Sequence, residues 1–397
     1  MQYDFHTIMN RHGKDALAVD HPPLGQYTKP AFSQIPMWIA DMNFATVPSV
    51  PKALAERSQH PVYGYFDISP AYYEAIIRWQ REMNHVHVKQ EEIGYENGVL
   101  GGVASALRAL CTPGDEILIH TPTYCGFVHV LQEGGYREVL SPLKKDAQGI
   151  WRMDYADMEK KLKEHHIHVT IFCSPHNPSG RVFEKEEIMQ AMLLFEKYQV
   201  TVIADEIWSD LLLDHHVHIP LQSVSDYARN NTIAFYAPSK TFNLAGLIGS
   251  YHIVYNPRLQ DRLQRSAAVT HYNHMNVLSM HALIAAYSPM GQDWLSQLKK
   301  VLSENVAYAY DYIQTYFADV TCARPQGTYM LFLDCSQWCA HHHCTLDDLL
   351  KKGAEIGVMW QDGRPFHGEN CIRMNLALPK ELVIEALNRL HDHIFRD

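Results

Sequence analysis

The sequence predicts an α/β protein in which a large domain with a mainly parallel sheet precedes a smaller α+β domain. Up to about residue 255, short apolar β-rich runs alternate with helical patterns, which is typical of parallel sheets covered by helices on both faces. Beyond residue 256 helices dominate, and a short mixed segment follows. The 397 residues suffice for about two domains. We place the large domain at 48–290 and the small one at 291–397, with 1–47 forming an arm and part of the small domain.

The elements of the large domain follow in order from local patterns. A short strand is expected from Ile35 to Asp41, helices at 48–58 and 70–83, and a glycine-opened helix from Gly98. Strands follow at 116–120, 137–143 and 232–236, with others opening at 170 and 202 and an apolar run at 247–255. The helix after Gly180 repeats apolar residues at i, i+3, i+4 and i+7, which predicts its buried face: Ile188, Ala191, Met192 and Phe195.

The small domain has a different pattern of predicted elements. A long helix at 293–317 is expected to join the two domains. Strands at 329–333 and 371–377, a helix at 345–356 between them and a final amphipathic helix complete the α+β unit.

Composition and charge exclude several classes of function. The formal net charge of −10, without a run rich in Lys or Arg, argues against nucleic acid as a main partner. The N-terminus lacks a signal-peptide pattern, and no apolar run approaches the roughly 18 residues that span a bilayer. We therefore expect a cytoplasmic protein without membrane contact. Eight cysteines do not suggest a disulfide framework, and the Cys/His cluster at 335–344 lacks paired zinc-ligand spacings, so no metal site is expected.

One lysine lies where a strand ends and the chain turns. The β-rich run 232–236 ends at Pro238, and Lys240 follows between the hydroxyl residues Ser239 and Thr241. Proteins of this class place chemistry at strand ends, and lysine forms Schiff bases with aldehyde cofactors. A solvated loop lysine is the alternative for this segment taken alone.

Two earlier strands end in the same polar manner. Asn177 lies in a Pro/Asn/Gly turn after the strand that opens at Thr170, and Asp205 ends the strand that opens at Val202. An amide, a carboxylate and a lysine on successive strand ends suit pyridoxal phosphate. The lysine holds its aldehyde, the carboxylate keeps the pyridine nitrogen protonated, and the amide donates to the phenolate oxygen. The ordered triple predicts a pyridoxal-phosphate site in the large domain.

Two further features leave alternatives open. The helix that opens at Gly98 offers free N–H groups that bind phosphate, although a tight turn with close helix packing explains the glycines equally well. Arg373 alternates with apolar neighbours on a predicted strand, so it is either a charge on an exposed face or a buried binding group. In the second case its planar, two-pronged donor suits an α-carboxylate.

Over nearly its whole length, the chain resembles the fold type I pyridoxal-phosphate enzymes of the class I/II aminotransferase superfamily. Within it the chain is similar to the cystathionine β-lyase or C–S lyase branch. The motifs that carry the resemblance are Met37-Trp-Ile-Ala-Asp-Met-Asn-Phe44, Tyr63-Gly-Tyr65, Thr121-Pro-Thr-Tyr124, Ser174-Pro-His-Asn-Pro-Ser-Gly180, Asp205-Glu-Ile207, Ser239-Lys-Thr-Phe-Asn243 and Ile372-Arg-Met-Asn375.

The resemblance implies a role for each cofactor-binding residue. Lys240 would hold the cofactor aldehyde and later move the proton, Asp205 would pair with the pyridine nitrogen, and Asn177 with the O3′ oxygen. Tyr124 would stack on the ring. The backbone amides of Val99 and Leu100, together with Ser239, would hold the phosphate.

The resemblance also implies substrate and subunit contacts. Arg373 would bind the α-carboxylate of an amino-acid substrate, and the residues lining the opposite side would be Trp38, Ala40 and Asp41. Tyr65 would reach the phosphate of a neighbouring subunit. A homodimer with active sites at the subunit interface is therefore expected.

Two positions depart from the aminotransferase pattern. Aminotransferases usually carry a tyrosine that donates to O3′ after the Asp-Glu-Ile run, whereas this chain has Trp208, which cannot reproduce a phenol's hydrogen bond. They also commonly carry a phosphate-anchoring arginine beyond the lysine, and Ile248 occupies that region here. The second departure agrees with the lyase branch, and the first leaves O3′ to Asn177.

Three functions follow, in order of preference. The first is a C–S β-lyase that converts cystathionine or a related L-cysteine S-conjugate to pyruvate, ammonia and a thiol. The second is an aminotransferase, which needs nearly the same residues. The third is a binding or regulatory protein that retains the fold, against which the presence of Lys240 argues because a binding scaffold does not need a reactive lysine.

Overall fold

The computed structural model describes residues 2–396. Its helices are α1 (Leu17–Asp20), α2 (Ser49–Ser58), α3 (Pro70–Met83), α4 (Val99–Leu110), α5 (Cys125–Glu133), α6 (Tyr155–Glu164), α7 (Lys185–Lys197), α8 (Asp226–Asn231), α9 (Pro238–Thr241), α10 (Pro257–Thr270), α11 (Val277–Ala286), α12 (Pro289–Tyr316), α13 (Ser336–His341), α14 (Leu346–Glu355) and α15 (Lys380–Leu390).

The strands are β1 (Ile35–Pro36), β2 (Ile93–Glu96), β3 (Glu116–Thr121), β4 (Arg137–Pro142), β5 (Lys144–Lys145), β6 (Trp151–Arg152), β7 (Val169–Cys173), β8 (Thr201–Asp205), β9 (Thr232–Tyr236), β10 (Ser250–Ile253), β11 (Thr321–Cys322), β12 (Met330–Asp334), β13 (Val358–Met359), β14 (Gln361–Asp362) and β15 (Cys371–Asn375).

A seven-stranded sheet forms the centre of the large domain, in the order β2-β10-β9-β8-β7-β3-β4. Strands β9, β8, β7, β3 and β4 are parallel, whereas β10 runs antiparallel to both of its neighbours. All five residues of β7 and of β9 are buried. Such continuous burial is what a parallel sheet covered on both faces requires. The predicted fold class is confirmed.

The predicted face of the helix after Gly180 is confirmed in α7. Ile188, Ala191, Met192 and Phe195 are its buried residues. The helix begins with a capping box between Glu184 and Glu187, which satisfies backbone N–H groups of its first turn.

A four-stranded antiparallel sheet, β11-β12-β15-β14, forms the small domain. The N-terminal arm returns to this domain, because β1 pairs in parallel with β13, with Ile35 opposite Val358. We propose the boundaries 1–47, 48–290 and 291–397 on these grounds.

Among the elements whose bounds differ from the prediction, two differ for clear local reasons. The strand expected from Ile35 to Asp41 ends at Pro36, because side chains rather than a neighbouring strand bind the carbonyls of residues 38–41. The long helix α12 begins earlier than predicted, at Pro289, where the Ser288 side chain caps it by accepting the Gly291 amide at 3.2 Å. In the apolar run 247–255 only Ser250–Ile253 form a strand.

None of the helices in the described part of the chain combines the length and the apolarity needed to cross a lipid bilayer.

Candidate active site

A cavity of about 200 Å³ lies where the carboxyl ends of β7, β8 and β9 meet. Asn177 enters it from the turn after β7, Asp205 from the end of β8, and Lys240 from α9, directly after β9. Because neighbouring parallel strands present their carboxyl ends at one edge of a sheet, residues up to 63 positions apart in sequence share one cavity. The predicted amide, carboxylate and lysine therefore lie together.

The Lys240 amine is held by backbone rather than by a carboxylate. Its Nζ donates a hydrogen bond of 2.8 Å to the carbonyl oxygen of Ala40, which also lines the cavity. Burial lowers the pKa of Lys240 to about 8; the nearby Arg373 cation also lowers it, while Asp41 and Asp205 oppose the shift. A useful fraction of the amine is consequently unprotonated near neutral pH.

Asp205 is the acidic group of the cavity. Only 4% of its surface is exposed, and its Oδ1 accepts the backbone N–H of Ile207 at 3.0 Å. Burial raises the pKa of Asp205 to about 6, although the Ile207 hydrogen bond and the Lys240 charge partly oppose the shift. A buried carboxylate with a raised pKa gains from a cationic N–H donor, such as a protonated pyridine nitrogen.

The opposite end of the cavity consists of backbone and a hydroxyl. Gly98 precedes α4 with a φ of +79°, a conformation that glycine adopts readily, and Val99 and Leu100 open the helix beside it. Ser239 lies across the same cavity. Free N–H groups at a helix N-terminus together with a hydroxyl fit a phosphate group. Ile248 also lines the cavity, in the region where aminotransferases commonly carry a phosphate-anchoring arginine.

Arg373 is buried, which excludes the first of the two alternatives that the sequence left open, a charge on an exposed face. It is 4% exposed; its Nη1 donates to Asn177 Oδ1 at 3.1 Å and its Nη2 to the Trp38 carbonyl at 3.0 Å. Its Nε has no partner within residues 2–396, and none of the ion pairs there includes Arg373. A buried guanidinium without a carboxylate partner is a site for an anionic ligand.

The Arg373 hydrogen bond also orients Asn177. Because the Asn177 carbonyl oxygen accepts from Arg373, its NH₂ group is left as a donor in the cavity that it lines. That orientation fits donation to a phenolate oxygen.

The segment 38–41 contributes mainly backbone. Ala40 lines the cavity, whereas the Trp38 indole donates to the Ala18 carbonyl at 3.0 Å. The Asp41 carboxylate is held by Arg11, at 2.5 Å between Nη2 and Oδ2. The side chains of Trp38 and Asp41 are thus engaged with the N-terminal arm.

Two aromatic residues complete the cavity. Tyr124 lies at the start of α5, with its ring edge-on to Phe127 at 5.4 Å between centroids. Trp208 is 2% exposed and packs edge-on against Tyr329 at 4.8 Å, with the Lys240 Nζ 5.7 Å from its ring centre. Trp208 therefore forms a buried wall of the cavity beside the amine.

Tyr65 does not join this cavity within its own chain. It is fully exposed, and it lines a separate groove with Tyr63, Phe66 and Met275, among others. Its predicted contact with a neighbouring subunit stays a prediction.

The Cys/His cluster at 335–344 shows no grouping of metal-ligand atoms in the described part of the chain. His341 pairs with Asp319 at 2.6 Å and His342 stacks on Trp338. The one candidate grouping found among residues 2–396 lies elsewhere, at Cys111, Asp115 and His168. The Asp115 carboxylate there already accepts the amide and the hydroxyl of Thr112.

Sequence reasoning missed several residues that hold the site. Tyr329 donates to the Ala40 carbonyl at 3.2 Å, Asn375 to the carbonyls of Ile39 and Asp41, and Asn243 to those of Met42 and Phe44. A signal existed for Asn375, because it lies two residues after Arg373 on a strand and so points to the same face. Asn243 lies in the Ser239–Asn243 motif, whereas Arg11 and Tyr329 carried no local signal.

A parallel sheet that presents a lysine, a carboxylate and an amide at one edge, beside the N-terminus of a glycine-opened helix, is the arrangement of the fold type I class of pyridoxal-phosphate proteins. The sequence model of the family "aminotransferase class I and II" matches residues 34–390. The chain belongs to this family.

Named relatives include lyases and a protein described as a putative aminotransferase. Cystathionine β-lyase PatB of Bacillus subtilis (strain 168) is 31% identical over 360 residues, which cover 90% of this chain and 91% of that protein. A pyridoxal-phosphate-bound putative aminotransferase from Clostridium difficile 630 has a TM-score of 0.91 at 32% identity, covering 99% of this chain and 100% of its own. The pyridoxal-phosphate-bound C–S lyase from Staphylococcus hominis has a TM-score of 0.90 at 28% identity, covering 100% and 99%.

Proposed function

We propose that the protein is a pyridoxal-phosphate-dependent C–S β-lyase. Its substrate would be cystathionine or a related L-cysteine S-conjugate, and one conjugate and one water would yield one pyruvate, one ammonia and one thiol. The observation that carries this proposal is the cavity in which Lys240, with a lowered pKa, and the buried Asp205 face one binding space. The likeness to the two named lyases supports the choice of reaction.

The cofactor fits the residues at both ends of the cavity. Val99 and Leu100 amides with the Ser239 hydroxyl would hold the phosphate, and Tyr124 would cover the ring. Asp205 would accept the pyridine N–H, and the Asn177 NH₂ would donate to O3′. When bound, pyridoxal phosphate supplies an aldehyde that captures the substrate amine and a protonated ring that takes up electrons from Cα.

The chain's own groups would then bind the substrate and move a proton. Arg373 would receive the α-carboxylate, because it is a buried cation whose Nε has no partner in the described residues. This contact fixes Cα within reach of Lys240. The Lys240 Nζ would take the Cα proton, and loss of the proton lets the Cβ–S bond break with the electron pair leaving on sulfur. Trp208 and Tyr329 would exclude water from the amine.

The deciding experiment measures pyruvate released from L-cystathionine by purified protein with pyridoxal phosphate and no keto acid. Lys240→Ala should release none. Lys299→Ala is the matched control: Lys299 also has a pKa lowered by burial but lies outside the cavity, so that variant should retain activity. Pyruvate and free thiol in equal amounts support the lyase.

Transamination is the second candidate, since the family model and the solved relative from Clostridium difficile carry the aminotransferase name. If a product forms only after a keto acid is added, the protein is an aminotransferase and the lyase proposal is wrong. No product with either substrate set, and no Lys240-dependent visible absorbance, would favour the binding protein.

We also propose a homodimer whose sites lie at the subunit interface. Residues 62–66 expose an apolar surface outside any helix or strand: Val62, Tyr63, Tyr65 and Phe66. A subunit contact would cover it and bring Tyr65 to the partner's phosphate site. Light scattering during size-exclusion chromatography tests the mass.

We place the enzyme in the cytoplasm, because its eight cysteines are free thiols, as in reducing compartments. Cell fractionation tests this location.

A further inference from the structure

An ion pair connects the N-terminal arm to the segment 38–41, which binds the reactive Lys240 amine. Arg11 forms a two-pronged contact with Asp41, at 3.1 Å to Oδ1 and 2.5 Å to Oδ2. The same guanidinium donates to the Met42 carbonyl at 3.3 Å and to Asn43 Oδ1 at 3.0 Å. Four acceptor contacts on three successive residues fix this stretch of backbone.

The fixed stretch is adjacent to the acceptor of the Lys240 amine. Ala40, whose carbonyl accepts Lys240 Nζ at 2.8 Å, directly precedes Asp41. Both partners of the Arg11–Asp41 pair are largely buried, with side chains 19% and 20% exposed, so the pair is only partly screened by solvent. An Asp41 carboxylate without Arg11 would be a free anion one residue from the lysine contact.

We propose that Arg11 is a positioning residue of the Lys240 site. It neutralises Asp41 and fixes the backbone at 40–43, so that the Lys240 amine meets a carbonyl oxygen and not a carboxylate. A carboxylate partner would hold the amine as ammonium and remove the nucleophile and base that the proposed function assigns to it. The inference rests on that function only in taking Lys240 as the reactive amine.

Three charged groups lie near Lys240 and come from three parts of the chain: Arg373 from β15, Asp205 from β8 and Asp41 from the segment 38–41. Arg11 and Asp41 can be altered without touching the other two. Arg11→Gln leaves Asp41 uncompensated and should raise the pKa of Lys240 by about 1, a tenfold loss of free amine at neutral pH. Asp41→Asn leaves Arg11 uncompensated and should lower it. The double variant should return it to the wild-type value.

The assay is competitive labelling of the full-length chain with isotopic acetic anhydride across pH, after pyridoxal phosphate has been removed with hydroxylamine. Mass spectrometry of the Lys240 peptide gives the pKa of this lysine, independent of any substrate. The matched control is Arg265→Gln, which breaks an exposed ion pair with Asp261 and should leave Lys240 unchanged.

Opposite shifts in the single variants and cancellation in the double variant support the proposal. An unchanged pKa in Arg11→Gln overturns it, and so does a shift that persists in the double variant. If Arg11→Gln does not fold, the proposal stands or falls on the downward shift in Asp41→Asn. Because no substrate is used, absence of pyruvate release would overturn the proposed function and leave this test intact.

Discussion

Two buried arginines offer a direct test of which one serves a ligand and which one serves the fold. Arg373 is 4% exposed and Arg181 is 2% exposed. Arg181 pairs with Glu187 and, at 3.5 Å, with Glu184, and it donates to the Trp151 carbonyl at 3.0 Å. Arg373 has no carboxylate partner among residues 2–396. Methionine at each position removes the charge and keeps most of the volume.

The two substitutions should affect different quantities. Arg181→Met removes one of the two cations on Glu187, which keeps Arg152 at 2.9 Å, and leaves the Trp151 carbonyl and the Gln326 side-chain oxygen without this buried donor. Loss of a buried donor costs about 1–3 kcal/mol for each acceptor, so a total of about 2–5 kcal/mol is expected. Arg373→Met also loses two hydrogen bonds, but it removes a buried charge that no carboxylate compensates, so a cost below about 2 kcal/mol is expected. Two charge-assisted bonds to a substrate carboxylate contribute about 3–6 kcal/mol, so kcat/KM should fall about 100- to 10,000-fold in Arg373→Met.

Urea unfolding followed by circular dichroism gives the stabilities, and pyruvate release with saturating pyridoxal phosphate gives kcat/KM for the folded protein. Arg181→Met should lower the urea midpoint strongly and keep kcat/KM of the folded fraction within a few-fold. If Arg373→Met is as unstable as Arg181→Met while its kcat/KM is unchanged, Arg373 is a structural cation and the assignment is wrong.

Three further predictions concern the subunit interface, cofactor loading and acid stability. Lys240→Ala and Tyr65→Ala homodimers should both be nearly inactive, and mixing them should restore up to about a quarter of wild-type activity through hybrid dimers with one intact site; no recovery would contradict shared sites. The rate of pyridoxal-phosphate uptake, followed by visible absorbance, should rise with pH through about 8, because only the unprotonated Lys240 amine reacts; a rate that is flat with pH would refute this. Burial lowers the pKa of His120 to about 4, below its unfolded value of about 6.5. The contribution of neutral His120 to the free energy of unfolding is therefore complete above a pH of about 6.5 and is lost as the pH falls toward about 4. His120→Phe should therefore reduce the loss of stability between pH 7 and 4.5 by up to about 3 kcal/mol in urea titrations, and an unchanged loss would show that this histidine is not responsible.

The sequence alone determined the fold class and the central triad of the site. Both depend on local patterns: strand-like runs that end in Asn177, Asp205 and Lys240 predict a shared edge, because parallel strands align their carboxyl ends. The apolar repeat of α7 likewise predicted its buried face, since side-chain direction along a helix follows from spacing.

Tertiary structure decided whatever depends on contacts between distant residues. Strand alternation allows Arg373 to be exposed or buried, and the contacts with Asn177 and Trp38, 196 and 335 residues away, place it inside. Arg11 lies in a segment without any periodic pattern, and only the folded arm brings it to Asp41. Local sequence sets which way a side chain points, whereas the partner that satisfies a buried charge is set by how the domains and the arm pack together.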